Sequence, residues 1–207
     1  MSKILLINGS PNQFGCTYTA LHEAETALNA CGIETEIFWI GKKAVAGCTA
    51  CGACAKKGKC VFDDDVNAIA ARLNKFDGFI FGSPVYYSGP SGQICAFLDR
   101  LFYSASAGMA YKPGAAVVSC RRGGATAAFD RLNKYFTINN MPVVSANYWN
   151  QIHGNTPDEA MQDEEGLQTM RILGKNMAWL IKCIEAAKAS GIEAPEREKR
   201  IATNFIR

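Results

Sequence analysis

The chain has 207 residues, a net charge of +3, 48% hydrophobic residues and 20% charged ones. That is enough chain for one α/β domain with a sizeable core. The charge is too mild to argue for a nucleic-acid partner, and no stretch approaches the roughly 18 unbroken apolar residues of a membrane span, so no membrane partner is expected either.

Residues 3–8 (Lys-Ile-Leu-Leu-Ile-Asn) form a short, almost continuous apolar run, the length of a strand buried on both faces of a parallel sheet. Gly9-Ser10-Pro11-Asn12-Gln13-Phe14-Gly15-Cys16-Thr17 follows as a turn, and a helical pattern begins beyond it. Its stripe is Ala20, Leu21, Ala24, Ala27, Leu28 and Cys31, and Gly32 ends it. Residues 34–40 alternate like a strand nearer a sheet edge. Residues 41–62 are dense in Gly, Ala and Cys and read as an excursion. Asp63, Asp64 and Asp65 are an acidic helix start, with Val66, Ile69, Ala70, Leu73 and Phe76 as its buried stripe.

Residues 78–82 predict a third strand and 83–90 the loop after it. Ile94, Phe97, Leu98, Leu101 and Phe102 mark the strongest helical stripe. Residues 114–120 are a fourth strand, followed by the loop Arg121-Arg122-Gly123-Gly124 and a helix over 125–139. Residues 141–146 predict the fifth strand, with Asn147-Tyr148-Trp149-Asn150 at its end and an irregular segment over 151–162. Leu167, Met170, Leu173, Met177, Leu180, Ile181 and Ile184 define the last helix. The reading is one domain over 1–192 and a charged tail over 193–207.

Strand and helix alternate five times, which predicts an α/β fold: a three-layer, doubly wound, five-stranded parallel sheet. Such sheets bind ligands outside the carboxyl ends of their strands, where the unusual loops fall. The first loop joins a buried strand to a helix N-terminus, so its free N–H groups, with Ser10, Asn12 and Thr17, suit a phosphate. It is neither a Gly-Lys-Ser/Thr phosphate loop nor a Gly-x-Gly-x-x-Gly fingerprint. Tyr86 and Tyr87 beside Pro84 offer aromatic plates, and Arg121 and Arg122 offer charge. Together these suit a phosphorylated planar cofactor. No residue here is an evident acid, base or nucleophile, which fits chemistry done by the cofactor.

The N-terminus shows no basic segment with an apolar core behind it, so a cytoplasmic protein is expected. Thiols stay reduced there, and the nine cysteines do not read as a disulfide framework. Cys48-x-x-Cys51-x-x-Cys54 and Cys60 lie within thirteen residues. That spacing suits a [4Fe–4S] cluster better than the separated pairs of a zinc ribbon; free thiols or a redox disulfide are the plainer readings. Cys31, Cys95 and Cys183 read as small core residues. Cys120 stands at the site edge, His22 on a helix surface, and His153 within reach of the site. Phe102, Met109 and Tyr111 fall in a stretch that covers the cofactor or meets a second subunit.

Gly9-Ser10-Pro11 with Thr17, together with Gly82-Ser83-Pro84-Val85-Tyr86-Tyr87, resembles the flavodoxin-like NAD(P)H-dependent FMN reductases and the related iron–sulfur flavoproteins, from residue 1 to about 149. The resemblance implies the flavodoxin-like strand order 2-1-3-4-5. It places Ser10, Asn12, Cys16 and Thr17 at the FMN phosphate. Pro84, Val85, Tyr86 and Tyr87 would line the isoalloxazine, and Ser119, Arg121, Arg122, Gly123 and Gly124 its other edge. The family usually carries Arg after the Pro and Asn before the Thr; here those positions are Asn12 and Cys16. By the same resemblance Cys48, Cys51, Cys54 and Cys60 would hold a [4Fe–4S] cluster near FMN. The implied activity is hydride transfer from NAD(P)H, as co-substrate, through FMN to a small acceptor such as a quinone or flavin. The alternative is an electron-transfer protein working through FMN and the cluster with a redox-protein partner; a thiol redox sensor is a third reading. A homodimer or homotetramer is expected by resemblance.

Overall fold

The structure, a computed structural model, describes residues 2–198 together with 201 and 203. The remainder of the expected charged tail lies outside the described residues. The chain runs β1 (Lys3–Asn8), α1 (Cys16–Ala30), β2 (Glu34–Trp39), α2 (Ala53–Lys57), α3 (Asp65–Ala70), β3 (Gly78–Tyr86), β4 (Gly89–Pro90), α4 (Gly92–Ala105), β5 (Gly114–Cys120), α5 (Ala125–Thr137), β6 (Gln151–His153), α6 (Pro157–Ala160) and α7 (Glu164–Ala189). Five parallel strands lie in the order β2-β1-β3-β5-β6, and β4 is an antiparallel arm paired only with β3. With that arm set aside the order is the expected 2-1-3-4-5.

The pleat sorts each strand between two apolar layers. Ile4, Leu6, Ile80, Ala115 and Val117 face α1 and α7, packing on Leu21, Leu28, Met170 and Leu173. Leu5, Ile7, Phe79, Phe81, Ala116 and Val118 face the opposite layer, against Ile69 of α3, Phe97 and Leu101 of α4, and Leu132 and Phe136 of α5. Two-sided burial is why these strands read as continuous apolar runs.

Several expectations are corrected. The fifth strand is not at 141–146. That segment makes a single bridge, Val143 against Gly114, because Pro142 has no N–H for a ladder. The chain leaves the sheet and returns at β6, where Gln151, Ile152 and His153 pair with Val118, Ser119 and Cys120. Residues 151–162, expected to be irregular, therefore hold β6 and α6. Asn147–Asn150 precede the last strand rather than follow it. The region 83–90 is a hairpin: β3 continues to Tyr86 and turns through Tyr87 and Ser88, both at positive φ (49° and 60°). The helix after the acidic run has only six residues, capped by the Asp64 side chain on Val66 N–H, and continues as a 3-10 turn at Leu73–Lys75. Met109 is fully buried in the core, while Cys183 is exposed and belongs to no core.

Candidate functional site

The carboxyl ends of β1, β3, β5 and β6 meet along one edge. The β1 loop is built around Asn8, whose buried side chain takes the Ser10 N–H on Oδ1 (3.0 Å) and donates from Nδ2 to Gln13 O (2.9 Å). Ser10 Oγ accepts from Asn12 N–H at 3.1 Å, and Trp39 Nε1 at the end of β2 donates to Ser10 O at 2.8 Å. Gly9 N–H donates to Gly82 O at 2.9 Å, locking the loop to β3. A Cβ on Gly9 would lie 2.6 Å from the Ile94 side chain, so only glycine lets the loop lie this close to α4.

The loop delivers the chain into α1 with Gly15 as N-cap and no side-chain capping bond. The first N–H groups of a 15-residue helix thus stay free at the positive end of its dipole. Thr17 is buried in that first turn, its Oγ1 2.8 Å from Ser119 Oγ at the end of β5. Cys16 Sγ donates to Gly154 O at 3.4 Å, just past β6. Burial pushes the Cys16 thiol above its ordinary value, against a lowering by its own backbone N–H, so it stays protonated and neutral.

Tyr86 and Tyr87 stand exposed at the tip of the β3–β4 arm, while Pro84 and Val85 are half-buried at its base. Ser83 Oγ accepts from Ser91 N–H (2.9 Å) and donates to Pro84 O (2.8 Å), and Ser91 Oγ donates to Gly9 O at 2.8 Å. Ser91 also accepts Ile94 N–H at 3.3 Å as the N-cap of α4. The arm rests on Gly124, at φ +89°, where a Cβ would lie 2.9 Å from Ser88 Cα. Arg121, Arg122 and Gly123 are exposed between the arm and β6, and neither arginine has an ion pair among the described residues.

The sequence reading of this edge missed Asn8 and Ser91, whose roles depend on backbone groups brought in by other strands. The Ser/Thr/Asn-before-helix signature was a usable signal for Ser91. His153 sits at the carboxyl end of β6, opposite Cys120. Its N–H donates to Asp163 Oδ2 at 2.7 Å, and the same carboxylate caps α7 through Gly166 N–H at 2.9 Å.

The four excursion cysteines come together elsewhere. Cys48, Cys51, Cys54 and Cys60 line one pocket with Phe62, Arg100 and Tyr103. All four are unpaired thiols. Positive-φ turns at Ala50, Gly52 and Gly58 (52°, 67° and 66°) fold the segment into a cup. Among the described residues, no three His, Cys, Asp or Glu side chains close on a single ion position. The Cys51 thiol is held below its ordinary value, chiefly by the Ala53 N–H. The cup is fastened to α4: Gln93 Nε2 donates to Gly41 O and Lys43 O (2.7 and 2.9 Å), and Cys54 Sγ lies 3.8 Å from Tyr103 O. The N-terminus of α4 holds the β1 loop through Ser91, and Arg100, nine residues on, reaches the cup. At 1.5 Å per residue that separation is about 14 Å along one helix.

A five-stranded parallel sheet in this order, with an uncapped helix N-terminus after β1 and an aromatic arm after β3, defines a flavodoxin-like protein. The sequence pattern of the family described as NADPH-dependent FMN reductase matches residues 2–156, and the chain belongs to that family. It is 35% identical over 191 residues to an iron–sulfur flavoprotein of Methanocaldococcus jannaschii, covering 88% of this chain and 99% of that one. An iron–sulfur flavoprotein of Methanosarcina thermophila is 31% identical over 187 residues, covering 88% and 97%. Among solved structures, a WrbA-like flavodoxin of Agrobacterium tumefaciens superposes with a TM-score of 0.62 at 18% identity, over 88% of this chain and 99% of that chain. No described helix is long and apolar enough to cross a membrane.

Proposed function

We propose that this flavodoxin-like oxidoreductase holds FMN at the β1, β3 and β5 loops and a [4Fe–4S] cluster in the cysteine cup, and moves electrons between them along α4. The observation that carries the reading is that the four-thiol cup and the phosphate-type loop are both fastened to one helix, the loop through Ser91 and the cup through Gln93 and Arg100. The kinship to iron–sulfur flavoproteins supports it. FMN supplies acceptance of a hydride or of single electrons, and a cluster supplies single-electron exchange.

The residues present fit both groups. The free N–H groups of α1, with Ser10, Asn12 and Thr17 beside them, are donors for a phosphate dianion. Cys16, kept neutral, adds no negative charge next to it. A Cβ on Gly15 would lie 3.1 Å from Asn12 Cβ, so the loop has little slack in which to lose its shape. Tyr86 and Tyr87 would offer aromatic faces to a planar ring, and Ser119 to Gly124 would border it on the other side. In the cup, four thiolates would neutralise much of a cluster's iron charge, and the Ala53 N–H already favours the thiolate of Cys51.

NAD(P)H as hydride donor and a quinone or flavin as acceptor is the second reading. It is favoured by Arg121 and Arg122, exposed and unpaired among the described residues at the rim, where they can meet a nucleotide phosphate.

The test is an anaerobic purification followed by a visible spectrum, iron and sulfide assays, and titration with NADH and NADPH. Flavin bands with about four irons per chain support the two-centre reading. Flavin without iron, bleached rapidly by NADPH, leaves the simple reductase. Failure to take up FMN overturns both.

A further inference from the structure

Arg100 is the largest fully buried side chain among the described residues, at 1% exposure. It projects from α4 into the wall of the cysteine cup. Each of its nitrogens is engaged. Nη1 donates to Asp64 Oδ2 (2.6 Å) and Ala46 O (3.3 Å), and Nη2 to Asp64 Oδ1 (2.8 Å) and Phe62 O (3.3 Å). Nε donates to Cys60 Sγ at 3.2 Å, and the guanidinium lies 4.8 Å from the Phe62 ring centroid. A buried cation without partners is costly, so these acceptors explain how the fold tolerates it. They also show what it does: one side chain grips the excursion before Cys48, at Ala46, and after Cys60, at Phe62 and Asp64. Among the described side chains it is the charged donor to a cysteine sulfur of the cup.

We infer that Arg100 is a positioning residue for the cluster: it fixes Cys60 in the ligand set and, through Nε–H···Sγ, stabilises the more negative, reduced state of whatever iron–sulfur group the cup holds. This rests on the two-centre reading above. Hydrogen bonds to ligand sulfurs are a protein's lever on cluster potential, and a charged donor is the strong form of such a bond. A lysine at the same place keeps the charge but not the planar fork that serves Asp64 and Cys60 together.

The experiment compares anaerobically reconstituted wild type with Arg100→Lys, with iron, sulfide and FMN measured on each. The cluster midpoint is read by redox titration followed by EPR. At the wild-type midpoint, the reduced-to-oxidised ratio of the variant's cluster is expected to fall about tenfold, which for one electron is a 59 mV lower potential. An unchanged midpoint in an iron-loaded variant overturns the inference and leaves the two-centre reading intact. A purely structural role lowers loading and melting temperature together while the loaded fraction keeps its midpoint, and that outcome also overturns it. Wild type that takes up FMN but no iron overturns the two-centre reading, and this inference with it. One measurement needs no variant. In wild type labelled with [15N]arginine, pulsed EPR of the reduced cluster should show a 15N coupling, and its absence overturns the inference even where Arg100→Lys does not fold.

Discussion

Substituting Gly124→Ala tests whether the aromatic arm rests on the start of α5. Gly124 has φ +89° and ψ 0°, which strains an L side chain by about 1–2 kcal/mol. Its new Cβ would sit 2.9 Å from Ser88 Cα and 3.0 Å from Val85 Cγ1. The first is backbone of a tight turn and cannot rotate away, so overpacking adds about 1–3 kcal/mol. The loss of unfolded-chain freedom offsets roughly 0.4–1 kcal/mol. The net destabilisation is about 1–4.6 kcal/mol, or a melting temperature lower by roughly 2–18 °C at this chain length. The relief available is a shift of the arm away from α5, which carries Tyr86 and Tyr87 with it. FMN affinity, followed by flavin fluorescence quenching, should fall about two- to tenfold, the scale of one aromatic contact. A variant with wild-type melting temperature and wild-type FMN affinity would refute the reasoning.

Thr17→Val leaves Ser119 Oγ buried without its partner and should cost about 1–3 kcal/mol in urea unfolding. Adding Ser119→Ala should recover part of that loss, and strictly additive costs would show that the hydroxyl pair is not coupled. Tyr87→Ala should leave stability unchanged, because the ring is fully exposed, while FMN binds about tenfold more weakly at most; unaltered FMN binding would take Tyr87 out of the flavin site. Cys48→Ala and Cys54→Ala should each lower iron per chain without lowering FMN per chain, and full iron loading of both would remove the cup as the cluster site. Glu36 gives a pH test. Burial works to raise its carboxyl, but hydrogen bonds from Arg72 and from Lys3 (3.1 Å) outweigh that and hold it below the ordinary value. Its contribution is present above the unfolded value near pH 4.3 and lost as pH falls through the folded one. The pair is part-exposed, so Glu36→Gln should cost about 1 kcal/mol or less at pH 7. The difference between wild type and variant should shrink as pH falls below that unfolded value, and one that does not change with pH would exclude the ion pair as its origin.

Sequence alone determined what local pattern controls. Strands buried on both faces read as unbroken apolar runs, which is why β1, the start of β3 and all of β5 were legible to within a residue or two. The helical stripes of α1, α4 and α7 were legible for the same reason, since each must bury one face. The glycine-rich turn after β1 and the compact cysteine spacing carried the chemistry, because both depend on residues close in sequence. Tertiary structure decided the rest. The fifth strand was misplaced because Met141–Ala146 has the composition of a strand, yet Pro142 and the available edge of β5 decide where pairing occurs, and only Val143 finds a partner at Gly114. The arm at 83–90 needed two non-glycine residues at positive φ, a conformation set by packing on Gly124 rather than by propensity. Arg100 falls between the apolar helix positions Leu98 and Leu101, and the sequence reading did not single it out. Its burial follows from acceptors at Ala46, Cys60, Phe62 and Asp64, which lie 36 to 54 residues away in the chain. A hydrogen bond to a distant sulfur leaves no periodic trace in a sequence, because its cause is the three-dimensional neighbourhood.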